Sequence, residues 1–389
     1  MKLKSASIYL VESGGIRPVI LELETDSGLT GLGEACIAYG VGGTGTAGML
    51  KDIVERYMNS GLDLLRIEAL WTEIYDHGFW AKGGGPIVYA AMSAIEQALF
   101  DIKARSLNVP VYELLGGRIH DWLRTYCNGW YFGCTRDEDL PRAAAKAVED
   151  GYDALKFYPF ATILPDGRLR HPSYRAASDR SVVQRSIRTV RDLRNAVGPD
   201  VELMLDLSAG LTPDDTIRFC QAVEPFDITY VEEPAVPGDV GALVKIARSI
   251  SQRIAVGERI YSRYGFRDVL ESRAADILQP DIGNTGGLLE ARKIAAMAEA
   301  YSMKVQPHIC ASALSTAVGM HFSASIPNFY IQEHFPYWGR IPGHVDVLED
   351  PIESSVREGF IPVKDAPGFG VHLRRAALEK SVFASFSWQ

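Results

Sequence analysis

The sequence predicts a parallel α/β barrel, and the spacing of its apolar segments carries the prediction. Six short apolar runs each end in an acidic residue or a histidine, at Asp206, Glu232, Glu258, Asp281, His308 and Glu333. Successive end points are 23 to 27 residues apart, about the length of one strand, one helix and two loops. Polar residues at the C-terminal ends of successive parallel strands are typical of catalytic groups in such a barrel. The pattern therefore predicts a functional site at one barrel mouth.

Composition limits the classes of protein and partner. The chain has 389 residues, 47% hydrophobic and 23% charged, which is ordinary for a globular protein long enough for two domains. The net charge of −9 argues against nucleic acid as a partner but allows an anionic small molecule. Five dispersed cysteines without a CxxC motif argue against a disulfide framework or a zinc site. Because no leader or membrane-spanning run is recognised, we expect a cytoplasmic protein without a membrane partner.

The first part of the chain does not follow the barrel spacing. Three alternating segments predict an antiparallel meander, and three helical patterns follow it. The glycine-rich stretch 39–48 lacks the GxxxxGK[ST] motif of a phosphate-binding loop, so it is either a surface loop or a loop that closes over a site. We predict an α+β domain over residues 1–117, a barrel over residues 118–350, and a segment over residues 351–389 that returns to the first domain.

An insertion interrupts the barrel after its second strand. That strand ends near Lys156, whereas Asp206 follows 50 residues later instead of about 26. The excess matches the polar, turn-rich stretch 161–180, placed where barrel enzymes carry specificity loops. Arg168 and His171 of this stretch are candidates for contact with a polar substrate. A solvated surface loop is an equal alternative.

Asp206, Glu232 and Glu258 are interpreted as ligands of one divalent cation. Three carboxylates at one barrel mouth suit Mg²⁺, which prefers oxygen ligands and completes its octahedron with water or substrate. One such carboxylate alone would be read as a solvated loop residue, but three at a regular step favour a metal site. Glu233 is adjacent to Glu232 along the strand and is expected to point away from the ligands.

Five further residues are candidates for proton transfer. Lys156 has a pKa that a nearby cation would lower toward that of a base, or else it is a structural lysine paired with a carboxylate. Tyr158 is an acid, a base or a hydrogen-bonding wall residue on the same strand face. Asp281 would orient His308 for proton transfer, unless the two are a capping aspartate and a core histidine. Glu333 lies among carboxylates that favour its protonated, hydrogen-bond-donating form.

Nine motifs follow one another along nearly the whole chain. They are GLTGLGEA, MSAIEQALFDIKARSLNVPVYELLGG, ALKFY, LMLDLS, YVEEP, VGE, LQPDIGNTGG, QPHIC and IQEHF. In this order they resemble the enolase superfamily, in particular the acid-sugar dehydratases of its mandelate racemase subgroup. The resemblance implies a modified (β/α)7β TIM-like barrel under an N-terminal α+β capping domain. It also implies one Mg²⁺ per subunit and a homo-oligomer.

The resemblance implies chemistry as well as fold. Family members bind Mg²⁺ through three carboxylates, abstract the proton next to a substrate carboxylate, and stabilise an enediolate on the metal. The ligand positions match the three carboxylates named above. The family's dyad positions match His308 and Asp281, and the position that hydrogen-bonds the enediolate matches Glu333. Asp281 followed by IGNTGG fits this His–Asp type better than the type with a catalytic lysine on strand six.

Two positions depart from the family pattern. The subgroup often has Lys-x-Lys on strand two, whereas this chain has Lys156-Phe157-Tyr158. The missing second lysine argues against racemisation by two opposed bases. Ser208 stands two residues after Asp206, where some acid-sugar dehydratases have a histidine that acts as an acid.

We therefore predict a hydro-lyase that removes water from an aldonate or aldarate and gives a 2-keto-3-deoxy acid. Lys156 or Tyr158 would handle one proton and His308 the other, and the sequence does not distinguish base from acid. The candidates for contact with the small carboxylate substrate are Trp80, Arg168, His171 and Ser208. Two alternatives are a racemase or epimerase of a 2-hydroxy acid, and a non-catalytic sugar-acid-binding protein.

Overall fold

An α/β barrel with an N-terminal capping domain, the predicted fold class, is confirmed. The structure, a computed structural model, describes residues 1–12, 15–58, 61, 63–164, 169–171, 173 and 179–388. Among these residues no helix combines the length and the apolarity needed to cross a membrane.

The predicted meander and helices form a two-layer unit, which we call the cap. Its elements are β1 (Leu3–Leu10), β2 (Val19–Thr25), β3 (Thr30–Ala35), α1 (Gly43–Tyr57), α2 (Ile67–His77) and α3 (Pro86–Ser106), followed by the short helix α4 (Val111–Leu114). The strands pair antiparallel in the order β1-β2-β3. Helix α3 lies so close to β3 that a side chain at Gly33 would meet the carbonyl oxygen of Ala94 at 1.9 Å. Glycine at that position therefore allows the buried helix to dock on the sheet.

Eight parallel strands of the described residues form the barrel ring. The strands after the cap are β4 (Trp122–Cys127), β5 (Ala154–Phe157), β6 (Thr162–Ile163), β7 (Leu169–Arg170), β8 (Glu202–Asp206), β9 (Ile228–Glu232), β10 (Arg253–Val256), β11 (Ile277–Leu278), β12 (Lys304–Val305) and β13 (Gln332–His334). All but β6 and β7, which form a hairpin in the insertion, belong to the ring. The ring closes where β13 pairs with β4 and where Val305 exchanges backbone hydrogen bonds with Asn328 and Tyr330.

Helices alternate with the ring strands as the spacing predicts. They are α5 (Leu140–Glu149), α6 (Arg180–Val197), α7 (Pro213–Val223), α8 (Val240–Ala247), α9 (Ser262–Ser272), α10 (Leu288–Ala300) and α11 (Ala313–Ala324). The side chains of Asp179, Thr212, Asp239 and Ser312 cap α6, α7, α8 and α11 by accepting hydrogen bonds from backbone N–H groups. These caps satisfy amide donors that the first turn leaves unpaired, which explains the polar residues at the helix starts.

The segment after residue 350 adds one strand to the barrel sheet and one strand to the cap sheet. Strand β14 (Phe360–Pro362) pairs antiparallel with β4, and β15 (Val382–Ser387) pairs antiparallel with β1. The short helix α12 (Arg375–Leu378) lies between them. The sequence predicts the return to the cap but neither strand, because no strand–helix period marks this region. The domain limits at residues 117 and 350 stay predictions.

Buried hydrogen bonds join the cap to the barrel mouth. Glu34 accepts hydrogen bonds from the backbone N–H groups of Ser312 and Ser315 at 3.0 and 3.1 Å, and from the Ser312 hydroxyl at 2.6 Å. The Cys36 N–H donates to the Gly283 carbonyl oxygen at 2.9 Å. A side chain at Gly283 would meet the Cys36 Sγ at 2.1 Å, so glycine is needed for this approach. The cap is therefore fixed directly above the strand ends.

Candidate active site

Asp206, Glu232 and Glu258 converge at the C-terminal mouth of the barrel. Parallel pairing sets Asp206 opposite Glu232 on neighbouring strands. Gly257 links β10 to Glu258 with φ of 148°, and a side chain there would meet the Gln279 backbone nitrogen at 2.6 Å. One carboxylate oxygen from each of the three residues lies within 4.8 Å of the other two. The predicted triad is therefore brought together, at strand ends, by the fold.

The electrostatics of the triad suit a divalent cation. Burial, followed by repulsion from Glu258, raises the pKa of Asp206 to about 7. Burial also raises the pKa of Glu232 to about 8, with Asp206 adding to the effect and Lys156 opposing it. A divalent cation would offset the cost of keeping these buried carboxylates ionised, and an all-oxygen donor set matches Mg²⁺. These three residues would hold the ion.

Lys156 binds carboxylates instead of serving as a free amine. Its buried Nζ lies 2.9 and 3.0 Å from the two carboxylate oxygens of Glu232 and 3.0 Å from Oε1 of Glu333. Burial acts to lower the pKa of Lys156, but Glu232 and Glu333 raise it well above its usual value. Without a bound cation the anionic partners stabilise the ammonium form, and the lowering expected from a cation stays a prediction. The contacts of Lys156 match the alternative interpretation, a structural lysine paired with a carboxylate.

The expectation of a protonated Glu333 is wrong. Burial acts to raise the pKa of Glu333, but Lys156 and His308 lower it to about 2. The Asn128 Nδ2 donates to Oε1 at 2.8 Å, and the Ile309 backbone N–H donates to Oε2 at 2.8 Å. Glu333 is therefore an ionised acceptor, held by donors on both oxygens.

His308 and Asp281 lie in contact, as the predicted dyad requires. The Nδ1 atom of His308 is 2.8 Å from Oδ2 of Asp281, and its Nε2 atom is 3.3 Å from Oε2 of Glu258. The Gly283 N–H donates to the other Asp281 oxygen at 2.8 Å. Burial acts to lower the pKa of His308, but the hydrogen bond that His308 donates to Asp281 and the charge of Glu258 raise it to about 10. A cation bound by Glu258 would cancel that residue's share of the rise.

Tyr158, His171 and Ser208 meet beside the triad. The Nδ1 atom of His171 lies 3.2 Å from Oγ of Ser208, and that hydroxyl donates to Oδ1 of Asp206 at 3.1 Å. The rings of Tyr158 and His171 pack edge-on with centroids 5.3 Å apart. Burial raises the pKa of Tyr158 well above its usual value, so its hydroxyl stays protonated at neutral pH. Partial burial lowers the pKa of His171, which makes its protonated form a stronger acid but a rarer one.

Two predicted substrate contacts stay predictions. Trp80 is 70% exposed, and its ring packs edge-on against Phe79. Arg168 lies outside the described residues. The catalytic and substrate-binding roles of the other residues at the barrel mouth also stay predictions, and the positions of these residues are compatible with them.

Three residues absent from the predicted site, Asn128, Gln279 and Arg259, hold carboxylates in place. Gln279 Nε2 donates to Glu232 at 2.8 Å, and Asn128 holds Glu333. Arg259 pairs with Glu233 at 2.6 Å and with Glu258 of the triad at 3.2 Å, so Glu233 has a partner of its own, and its expected orientation away from the ligands stays a prediction. Asn128 follows the first barrel strand, so the strand-end spacing would have identified it. Nothing in the sequence pattern distinguishes Gln279 or Arg259 from surface residues.

Two family models match the chain. The model for the enolase C-terminal domain-like family matches residues 139–377. The model for the mandelate racemase / muconate lactonizing enzyme N-terminal domain matches residues 12–116. The chain belongs to the enolase superfamily. Both the cap and the barrel carry the match.

The relatives of this enolase-superfamily chain include dehydratases. It is 32% identical to D-galactonate dehydratase from Ralstonia pickettii (strain 12J), over 94% of this chain and 91% of that protein. It is 33% identical to D-gluconate dehydratase from Thermoproteus tenax over 82% of this chain, but spans only 61% of that protein. The activity class that these relatives share is that of a hydro-lyase, and the chain is an enzyme of this class.

Solved structures agree with this family assignment. A structure from Mesorhizobium loti, provisionally described as a dehydratase, is 48% identical, covers 100% of both chains and superposes with a TM-score of 0.94. A member of the enolase superfamily from Salmonella Typhimurium is 32% identical, covers 100% of both chains and gives a TM-score of 0.91. The likeness therefore extends over the cap as well as the barrel.

Proposed function

We propose that this enzyme is a Mg²⁺-dependent dehydratase of a sugar acid, an aldonate or aldarate, that forms a 2-keto-3-deoxy acid. One observation carries the proposal: a buried carboxylate triad and a His–Asp pair share one barrel mouth, with Nε2 of His308 3.3 Å from Glu258. The relatives named D-gluconate and D-galactonate dehydratase support the substrate class. The homo-oligomeric state and cytoplasmic location expected from the sequence belong to the same proposal.

The triad would hold Mg²⁺ through Asp206, Glu232 and Glu258. When bound, the ion offsets the negative charge that develops on the substrate carboxylate as the α-proton leaves. Lys156 orients the Glu232 carboxylate from one side, and Gln279 donates to it from another. These donors restrict the ligand's movement, which preorganises the site for the ion.

His308 is the proposed base for the α-proton, and it would act once a cation bound by Glu258 removes part of the negative charge that raises its pKa to about 10. Lys156 Nζ donates to both Glu232 oxygens and forms an ion pair with Glu333 at 3.0 Å, so these anions hold it as an ammonium, which has no lone pair for a proton. The Tyr158 hydroxyl stays protonated, which excludes it as the base at neutral pH. The contact between Asp281 and Nδ1 leaves Nε2 of His308 on the side of the triad, and Asp281 stabilises the ring once it carries the proton.

The test is a screen of purified protein with Mg²⁺ against a library of sugar acids. The readouts are 2-keto acid formation and, in D₂O, deuterium at C2. We expect a keto acid whose formation stops with EDTA and in a His308→Asn variant. A His372→Asn variant, which changes an exposed histidine, should keep the activity.

Other outcomes point to the alternative functions. Deuterium at C2 without keto acid would overturn dehydration and favour the racemase or epimerase. Binding of sugar acids without exchange or turnover would favour the binding protein. The paired donors of Lys156 and the tyrosine at position 158 both argue against a second base on strand two.

A further inference from the structure

His171 is the one ionisable group that the insertion contributes to the described part of the barrel mouth. It follows β7 directly and contacts Ser208, which comes 37 residues later in the chain. The ring packs edge-on against Tyr158 and against Tyr39, with centroids 5.3 and 6.1 Å away. The insertion therefore does more than extend into solvent, since it delivers an imidazole to the triad's edge.

Elimination of water needs a proton donor, and Tyr158 is a weak one because burial raises its pKa well above the usual value. Hydroxide is a poor leaving group, so the departing β-hydroxyl must be protonated as the C–O bond breaks. Lys156 is committed to Glu232 and Glu333, and Glu333 is an ionised acceptor. His308 is occupied with the α-proton in the proposed mechanism. None of these three groups is therefore free to donate the proton.

The hydrogen bonds around Ser208 set the orientation of this imidazole. Because the Ser208 hydroxyl donates its single proton to Asp206, its oxygen is left to accept from Nδ1–H of His171. The Nδ1 side of the ring is thereby anchored to the end of β8. The opposite ring nitrogen, Nε2, has no hydrogen-bond partner among the residues whose structure is described, and it is left for a ligand.

We propose that His171 is the catalytic acid that protonates the leaving β-hydroxyl, an inference that rests on the proposed function. His308 takes the proton from C2, and the electron pair left there forms the C2–C3 double bond. The C3–O bond breaks, its electron pair takes the proton from Nε2 of His171, and water leaves. C3 then takes up a proton while the enol hydroxyl releases one, which gives the keto acid. Solvent restores the proton of His171.

The test compares two leaving groups in one variant. His171→Asn keeps an N–H donor near the position of Nδ1, so it retains the contact to Ser208 but has no acidic group. The substrates are the sugar acid found in the screen and its 3-deoxy-3-fluoro analogue, because fluoride leaves without being protonated. We expect a loss of about 10²- to 10⁴-fold in kcat for the hydroxyl substrate, with fluoride release and C2 deuterium exchange close to wild type.

Two results would overturn the role of His171 as the acid. Equal losses for both substrates would make it a positioning residue, and an unchanged rate for the hydroxyl substrate would exclude any role in elimination. His372→Asn is the matched surface control for both substrates. Mg²⁺ affinity and circular dichroism show whether the His171→Asn variant is folded. If it is not folded, His171→Gln takes its place in the comparison. If wild-type protein forms no keto acid from any sugar acid, the proposed function fails first, independently of the His171 comparison.

Discussion

Replacing Lys156 with methionine removes a buried cation that two carboxylates share. Methionine has nearly the same length, so little space opens and the cost is mainly electrostatic. Nζ lies 2.9 Å from Glu232 and 3.0 Å from Glu333, and all three side chains are at most 1% exposed. Removing one partner of a buried ion pair costs about 3–5 kcal/mol. With two carboxylates left unpaired, we expect the free energy of unfolding to fall by about 5 kcal/mol, the upper end of that range.

The assay is urea unfolding at pH 7 with EDTA, followed by tryptophan fluorescence. The control is Lys304→Met, which changes an exposed lysine and should alter the free energy of unfolding by less than about 0.5 kcal/mol. In the double variant Lys156→Met/Glu333→Gln one unpaired charge is gone, so we expect a coupling of at least about 1 kcal/mol between the two sites. A loss of stability in Lys156→Met no larger than that of the control would refute the electrostatic role of Lys156, and so would two single losses that simply add.

Three other predictions concern the ion, the dyad and acid stability. Asp206→Asn should weaken Mg²⁺ binding at least about tenfold in calorimetry, because one charged ligand of three is lost; unchanged affinity would place the ion elsewhere. His308→Asn should abolish both keto acid formation and C2 deuterium exchange, whereas loss of keto acid alone would assign the α-proton to another base. Burial lowers the pKa of His321 from 6.5 to about 4, so its stabilising effect is complete above pH 6.5 and lost as the pH falls toward 4. Lowering the pH from 7.5 to 5 should reduce the free energy of unfolding by about 2 kcal/mol through this residue. The urea midpoint should therefore fall in the wild type and fall less in His321→Gln. An equal fall in the two proteins would contradict the role of His321.

The sequence predicts the position of the triad because barrel geometry converts spacing into proximity. Every strand of a parallel ring delivers its C-terminal residues to the same mouth, so a polar residue after each apolar run must lie near the others. The spacing alone therefore predicts that Asp206, Glu232 and Glu258 lie close together. The contact between Asp281 and His308 follows from the same rule, since strands six and seven are neighbours.

Protonation states did not follow from the sequence. They depend on atomic separations between strands that are distant along the chain: Lys156 on strand two contacts Glu232 on strand four and Glu333 on strand eight. A general expectation about lysines beside cations could not include these anionic partners. The position of His171 was equally hidden, because a turn-rich insertion has no periodicity that fixes where its side chains point.

The cap contains both the earliest and the latest strand of the described chain. Ser5 in β1 pairs with Ser387 in β15. A chain that emerges from a ribosome N-terminus first can therefore build the barrel strands before this last cap pairing becomes available. Pairing between residues so far apart in sequence is slow, because a long loop must close first. A chain halted before residue 382 would leave β1 as an unpaired sheet edge directly beside its helices, and such edges promote association between incomplete chains.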